Sequence, residues 1–491
     1  MDRTKAHTLL FIAAVSLFRL AFAGWFELSL DEGYYWLWGQ HPSMSYYDHP
    51  PMVAWIITAT GLLGESERMI RLGAILCGAA SSYFIYLTAR EVFNEGKPAF
   101  WAVVLLNLTP MFTLGSLVMT PDSPLFTFWA MTVYYGARLV NTQQPHYWYA
   151  LGFFFGLALL SKYTAALFAP ALLVFLIVSE ENRAWLFRKE PYLAFALSMI
   201  IFSPVILWNY QRDWISFRFQ LSHGLAGENP GFLLTMGEFW GSQAAITGVF
   251  VFFFMIAAMV GVSIRGLRER RDDYLYLGVI SLSLFGFFLL NSARTRMEGN
   301  WGVPMYFTII AATPFMVAIY SERGAFLGRL TSMGYRFSLF FAAALLVYAH
   351  VQIVEPVLPM PKKYEISRRI FGWRALAAES DRRLAELGAN AFILANRYQI
   401  STLLTYYTKG HRPAYISNGK GRFGYLGSVE KLPGAPALYV TETGRDDIAT
   451  IGRHFQRVEK DGFIRIERQG ELIREFTFYK CYNYQGEFIR L

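Results

Sequence analysis

The sequence predicts a polytopic α-helical membrane protein with about 11 transmembrane helices and a small C-terminal α/β domain. Hydrophobic residues fill 54% of the 491 positions and charged residues only 16%, and the mean hydropathy is +0.29. Apolar runs of about twenty residues recur along most of the chain. From about Pro356 they give way to alternating helix-like and strand-like pieces.

The apolar runs give the predicted spans. We place them near residues 8–26, 70–89, 99–118, 123–140, 147–160, 163–179, 191–208, 240–263, 274–291, 302–320 and 337–355. The run from Trp148 to Ser179 is too long for one span, so we divide it at Ser161-Lys162. The first segment has a basic start but no small-residue cleavage site, and we expect it to remain as a helix rather than to be removed as a signal peptide.

Basic residues set the expected orientation. Lys and Arg cluster in alternate loops, whereas the long first loop has none between Arg19 and Arg68. This bias places the N-terminus in the cytoplasm, and the first loop and the C-terminus outside. It also accounts for the net charge of +9, so we expect no nucleic-acid partner.

Two domains are predicted. Residues 1–356 form the membrane domain, with a long outer loop at 27–67, and residues 357–491 form an extracytoplasmic α/β domain of ordinary size. The two cysteines, Cys77 and Cys481, provide neither a disulfide framework nor metal-ligand spacing.

Unusual ionisable residues collect on the predicted outer face. They are Asp31, Glu32, Asp48 and His49 in the first loop (LSLDEGYYWLWGQHPSMSYYDHPP), Asp122 in the next outer turn, Lys162 at the predicted break, and Arg294, Arg296 and Glu298 in a later loop. Together with neighbouring Trp and Tyr rings, they indicate a site that opens at the outer leaflet. Arg19 lies inside an apolar span, where a charge is costly enough to be paired or functional.

Structural explanations compete with this hypothesis. Trp36 and Trp38 fit an interfacial aromatic belt, and His49 precedes Pro50-Pro51, which suit the first turn of a helix. Asp122 fits a helix N-cap, with Thr120 and Ser123 as competitors. Lys162 fits a side chain that extends to the headgroups, and Arg294 and Arg296 fit anchors to anionic lipids.

The motifs together resemble the GT-C membrane glycosyltransferases. An Asp-Glu pair follows the first span, and YYDHPPMVAW, TPDSPLFTFW, GLALLSKYTAALFAPALL and EGNWGVPMYF follow in order. The resemblance is to the bacterial branch related to protein O-mannosyltransferases and to the aminoarabinose and galacturonic acid transferases of lipid A, and it covers about residues 8–320. It implies transfer of one sugar from a polyprenyl-phosphate donor to an acceptor outside a bacterial inner membrane. A lipid A or lipopolysaccharide core acceptor is favoured, with protein as the alternative.

The resemblance also implies residue roles. Asp31 is the general base, with Glu32 beside it, and Asp122 orients the sugar or the base. His49, Lys162, Arg294 and Arg296, with Arg19 further down, are candidates to bind the donor phosphate. Tyr34, Tyr35, Trp36 and Asp48 are candidates to contact the sugar or the lipid.

Two features of the chemistry follow from the donor. Polyprenyl-linked donors imply an inverting single displacement, which needs one carboxylate base and no second acid. No cofactor is expected, although Asp31, Glu32 and Asp122 could instead hold a divalent cation.

Arg294 and Arg296 are predicted to act together. Because alternate residues of an extended loop point the same way, both could bind one phosphate, and we favour Arg296.

Two other classes of protein explain these sequence features less well. A transporter or lipid flippase would require ionisable residues near mid-membrane and discontinuous helices in matching halves, but the sequence shows no repeated halves. A receptor or scaffold that uses its outer domain would leave the Asp-Glu loop without a role.

Overall fold

The computed structural model describes residues 3–225, 230–322, 324–358, 367–417 and 432–486. By internal contacts the chain divides into two compact units. The first contains Met1–Phe22, Met44–Ile56 and Arg71–Tyr348, and the second contains Ala23–Ser43, Ile57–Ile70 and Ala349–Leu491. The domain boundary predicted near residue 356 stays a prediction.

The described chain up to residue 354 is helical. Its α-helices are α1 (Arg3–Phe22), α2 (Leu30–Gln40), α3 (Met52–Gly61), α4 (Glu67–Phe93), α5 (Gly96–Leu108), α6 (Pro110–Gly115), α7 (Asp122–Thr142), α8 (His146–Ser161), α9 (Phe168–Val178), α10 (Glu190–Tyr210), α11 (Ile215–Leu225), α12 (Phe232–Thr247), α13 (Val249–Glu269), α14 (Asp272–Ser292), α15 (Val303–Ile310), α16 (Thr313–Ser321) and α17 (Ala325–Val354). Short 3₁₀ helices lie at Tyr163–Leu167, Asn182–Phe187 and Gly299–Gly302.

Six described helices are long and apolar enough to cross a membrane: α1, α4, α10, α13, α14 and the part of α17 at Phe326–Val354. A pair bent by 54°, Gly299–Ile310 with Thr313–Ser321, would be a seventh. Shorter apolar helices lie at Met52–Gly61, Gly96–Leu108 and Tyr163–Val178. The count of about 11 spans therefore stays a prediction.

Three predicted spans are interrupted, each at a residue that breaks a helix. The span at 99–118 divides before Pro110, and the span at 302–320 divides before Thr313 and Pro314. Proline has no N–H to donate and suits the first turn of a new helix. The span at 240–263 divides at Gly248, whose φ of 100° lies in a region that glycine tolerates.

The predicted break at Ser161-Lys162 is confirmed. Helix α8 ends at Ser161, and Lys162 is extended with φ −157° and ψ 140°. The 3₁₀ helix and α9 follow.

Helices α8 and α10 of the first unit pack closely against each other. A Cβ atom on Gly152 of α8 would lie 2.4 Å from the carbonyl oxygen of Ala194 on α10, so the contact between the two helices requires glycine.

The second unit contains the predicted α/β part. Its further elements are α18 (Ser367–Ile370), α19 (Trp373–Leu387), β1 (Phe392–Ala395), α20 (Tyr398–Tyr407), β2 (Ala414–Ile416), β3 (Ala437–Glu442), α21 (Ile448–Ile451), β4 (Phe455–Arg468) and β5 (Glu471–Tyr484). Among the described residues the strands form one sheet in the order β2-β1-β3-β5-β4. Strands β2, β1 and β3 are parallel, and β5 and β4 add antiparallel neighbours.

Helix α2 packs against α20 within this unit. A Cβ atom on Gly33 would lie 2.8 Å from Cδ2 of Leu403, so glycine allows the close approach. Residues from the predicted first outer loop therefore belong to the same compact unit as the C-terminal sheet.

Candidate active site

The predicted site residues fall into two groups, one in each compact unit. In the first unit, Lys162 Nζ donates a hydrogen bond to Asp122 Oδ1 at 2.7 Å. Asn300 Nδ2 donates to Asp122 Oδ2 at 3.1 Å. The Lys162 and Asp122 side chains are only 5% and 6% exposed. A buried ion pair persists when further hydrogen bonds satisfy its polar atoms, and Asn300 does this for the carboxylate.

This geometry excludes two structural explanations. Asp122 is the first residue of α7, and the N-cap position is Pro121, which makes no side-chain cap bond, so the capping interpretation of Asp122 is wrong. The Lys162 ammonium is buried against a carboxylate, so the proposal that it extends to the headgroups is also wrong. The sequence did not predict Asn300, because its amide is not ionisable, although it lies in the segment EGNWGVPMYF.

An apolar cavity lies beside this ion pair. It has a volume of about 260 Å³ and is lined by His49 and Lys162 and by apolar side chains that include Phe287, Phe288 and Trp301. The cavity therefore combines a cation at one point of its wall with extended hydrophobic surface, a combination that suits an anionic group attached to a hydrocarbon chain.

The loop that carries His49 is held by main-chain and side-chain contacts. The Tyr46 N–H donates to the His49 carbonyl at 3.2 Å, and Gln220 Nε2 donates to the Asp48 carbonyl at 2.6 Å. The Tyr47 ring lies against Phe219 at 4.9 Å between centroids. Helix α11 thus fixes the backbone around His49 by contacts that sequence spacing does not reveal.

The predicted arginines occupy other environments. Arg296 forms a bidentate pair with Glu238, with Nε to Oε2 at 2.7 Å and Nη2 to Oε1 at 2.5 Å. Arg19 is buried in the last turn of α1, with its guanidinium 5.5 Å from the Phe112 ring centroid. Both the C-terminal end of the helix dipole and the face of the ring stabilise a cation at this position. Arg294 is exposed. None of the three arginines is among the described residues that line the cavity.

We expect Arg296→Lys to have a small effect, which reverses the preference for Arg296 as the phosphate ligand. The Arg296 side chain is 52% exposed and its planar fork already faces Glu238. Exposed ion pairs contribute about 0–1 kcal/mol to the free energy of unfolding, so stability should change little. The donor KM for transfer should change by no more than about fivefold. Glu238→Gln is the matched variant and should behave the same way. A large rise in donor KM for Arg296→Lys alone would restore the phosphate role.

In the second unit, Asp31 and Glu32 lie in the first turn of α2 with different surroundings. Ser29 is the N-cap. Glu32 Oε2 accepts a hydrogen bond from the Ser29 N–H at 2.9 Å, and Ser29 Oγ accepts from the Glu32 N–H at 3.4 Å. The buried Glu32 side chain is thus engaged in a reciprocal capping box with Ser29, whereas Asp31 is exposed. Of the two carboxylates, Asp31 is therefore the one that is accessible to solvent.

The aromatic side chains of α2 are buried. Tyr34, Tyr35, Trp36 and Trp38 are at most 8% exposed. Tyr34 lies 4.8 Å from the ring of Tyr398, and Trp36 lies 4.9 Å from that of Tyr406. The interfacial-belt interpretation of Trp36 and Trp38 is therefore wrong. The predicted sugar contacts of Tyr34, Tyr35 and Trp36 gain no support from this packing, because the rings face protein.

A polar cluster within the second unit was not predicted. Glu27 accepts a hydrogen bond from the Trp373 N–H at 2.6 Å, and burial raises the pKa of Glu27. Arg374 pairs with Glu67, which also accepts from the Tyr407 hydroxyl at 3.1 Å. These partners lie hundreds of positions apart, so local patterns could not identify them.

The carboxylates Asp31, Glu32 and Asp122 are also the predicted alternative ligands of a divalent cation. Within the described residues no group of three or more His, Cys, Asp and Glu side chains is arranged to hold a metal ion. The divalent cation at Asp31, Glu32 and Asp122 therefore gains no support.

The helical fold with its apolar spans, and the ordered motifs that include the Asp-Glu pair after the first helix, resemble the GT-C membrane glycosyltransferases. Residues 48–208 match the dolichyl-phosphate-mannose-protein mannosyltransferase family. The chain is 24% identical over 387 residues, 78% of each sequence, to lipid A galacturonosyltransferase RgtD of Rhizobium johnstonii.

Solved structures agree in fold. ArnT from Cupriavidus metallidurans in the apo state matches with a TM-score of 0.66 at 15% identity, over 97% of this chain and 98% of that one. The same enzyme bound to undecaprenyl phosphate matches with a TM-score of 0.65 at 15% identity, over 96% and 97%. The predicted helical membrane fold with a small C-terminal α/β part, and the predicted resemblance to the GT-C branch related to lipid A transferases, are confirmed, whereas the number of spans stays a prediction.

Proposed function

We propose that this chain is an integral-membrane glycosyltransferase that moves one sugar from a polyprenyl-phosphate donor to lipid A or a related envelope lipid. The observation that carries the proposal is the buried Lys162–Asp122–Asn300 network at the wall of an apolar cavity that also contains His49. The apolar walls suit a polyprenyl chain, and Lys162 suits its phosphate. RgtD is a lipid A galacturonosyltransferase, and ArnT binds undecaprenyl phosphate, which supports both substrates.

The proposed chemistry is a single displacement with inversion. Asp31 accepts the proton of the acceptor hydroxyl as its oxygen forms a bond to the anomeric carbon. The bond between that carbon and the phosphate oxygen breaks, and polyprenyl phosphate leaves with the electron pair. Lys162, held in position by Asp122, stabilises the negative charge that develops on the leaving phosphate, and His49 is the second candidate. Protein remains the alternative acceptor.

A transfer assay tests this function. The purified protein is incubated with lipid A and with undecaprenyl phosphate carrying galacturonic acid, aminoarabinose or mannose, and the products are analysed by mass spectrometry. Addition of one sugar mass to lipid A from one of these donors is the expected result. Absence of transfer to lipid or protein, together with movement of fluorescent lipid between leaflets of reconstituted vesicles, would favour the flippase instead.

We also propose that the active site and the C-terminal domain lie on the extracytoplasmic side of the inner membrane, because basic residues concentrate in the opposite loops. Reporter fusions in the loop after Arg265 should give a cytoplasmic signal, and fusions at Asp48 and after Pro361 should give a periplasmic one. A cytoplasmic signal after Pro361 would mean that the number of spans between Asp48 and Pro361 is odd rather than even.

A further inference from the structure

A cavity lined by arginines lies within the second unit. Its volume is about 300 Å³, at the lower end of the range for small-molecule sites. The charged side chains that line it are Arg368, Arg369, Arg397, Arg445, Arg474 and Glu442. We call this group the arginine cavity. Five arginines and one glutamate leave a formal excess of four positive charges around a small space.

Glu442 offsets only one of these five positive charges. It is the one acidic residue among the described residues that line the cavity. Three arginines surround its carboxylate, and their nitrogen–oxygen distances are longer than those of tight ion pairs. Arg445, Arg397 and Arg368 lie 3.5, 3.6 and 3.8 Å from its oxygens. Like charges held together in a partly buried space disfavour one another, so such a space favours an anion. Burial, together with the neighbouring arginines, lowers the pKa of Arg474 to about 10.

The topology of the sheet also favours a ligand here. Arg397 follows the carboxyl end of β1, and Glu442 and Arg445 lie at the carboxyl end of β3, which runs parallel to β1. Ligands of parallel sheets bind beyond these strand ends. Gln399 and Ile400 of the first turn of α20 line the same cavity, and the start of a helix favours an anion. Trp373 supports the Arg474 guanidinium at 4.4 Å from its ring centroid.

The position of the arginine cavity connects it to one substrate. Leu30 lines it, and Leu30 directly precedes the proposed base Asp31 on α2. Under the proposed function this base removes a proton from the acceptor, so the cavity adjoins the helical turn that would meet the acceptor. Arginine forks match phosphate oxygens, and a phosphate group with nearly two negative charges compensates the excess better than one carboxylate does.

We infer that the arginine cavity binds a phosphate group of the acceptor lipid and so selects phosphorylated acceptors. This inference rests on the proposed function, because it assigns the ligand to the acceptor of that reaction. Arg397 and Arg445 are the variants to use, since their side chains are 38% and 60% exposed and their loss should not unfold the sheet.

Direct binding tests the cavity without requiring transfer. Inorganic phosphate is titrated into the purified full-length protein in phosphate-free buffer and measured by calorimetry. The affinity of the Arg397→Ala/Arg445→Ala variant for phosphate should be lower by about tenfold or more, because each hydrogen bond to a charged group contributes to the binding free energy. Arg457→Ala/Arg465→Ala is the matched control, because both arginines are exposed, lie on β4 and do not line the cavity. Equal phosphate affinity in the parent and the cavity variant overturns the inference.

Transfer kinetics test the link to the acceptor. With bis-phosphorylated lipid A, the cavity variant should show an acceptor KM raised about tenfold and an unchanged donor KM. With lipid A from which a phosphatase has removed the phosphates, parent and variant should have the same acceptor KM. An unchanged acceptor KM on the phosphorylated lipid overturns the assignment, and points to a free anion if phosphate binding still depends on the arginines. A parent that binds phosphate through the cavity but transfers no sugar supports the anion site and overturns the proposed function.

Discussion

Asp31→Asn should lower sugar transfer about 10²–10⁴-fold while the protein is produced and folded normally. The substitution keeps the shape of the side chain and removes the basic oxygen that accepts the acceptor proton. Asp31 is exposed in the first turn of α2, so the main structural cost is a weaker interaction with the helix dipole, about 0.3–1 kcal/mol. The measurement is the initial rate of transfer with saturating donor, alongside donor binding, which should persist.

Glu32→Gln is the matched comparison. Glutamine at this position still accepts from the Ser29 N–H, so the capping box survives the loss of charge. If Asp31 is the base, Glu32→Gln should retain activity within a few-fold of the parent. The opposite pattern, in which Asp31→Asn is active and Glu32→Gln is not, would assign the base to Glu32.

Lys162→Met should both destabilise the protein and abolish most transfer. It leaves Asp122 as a buried carboxylate without its cation, and breaking a buried pair in this way typically costs about 3–5 kcal/mol. Removal of the cation from the leaving phosphate should lower transfer by a further factor of roughly 10²–10³. Thermal unfolding in detergent reports the first effect. The transfer rate per folded molecule reports the second.

A second variant separates these effects. Adding Asp122→Asn to Lys162→Met removes the uncompensated charge, and Asn300 can still hydrogen-bond to the new amide, so most of the lost stability should return. Transfer should stay low, because the phosphate still lacks its cation. Lys97→Met, at an exposed lysine, is the control for loss of a positive charge. Recovery of transfer in the double variant would show that Lys162 is structural only.

Hydrophobic pattern and helix-breaking residues determined the architecture without any tertiary information. Apolar runs near twenty residues identify a membrane protein because a bilayer imposes that length on a helix. The break at Lys162 also followed from length alone. The breaks at Pro110, Gly248 and Pro314 were readable in principle, since proline and glycine act locally. The α/β pattern after residue 356 likewise rests on local periodicity.

Roles that depend on a distant partner were decided by tertiary structure. The sequence singled out Asp122 and Lys162 separately, 40 positions apart, and only folding brings them to 2.7 Å from each other. It ranked Arg296 as a ligand because Glu238, 58 positions earlier, could not be recognised as its partner. It placed Trp36 at the lipid interface, whereas packing against Tyr406 buries that ring. Charge, propensity and span length act over a few residues and can be read along the chain, but desolvation and pairing depend on which surfaces meet.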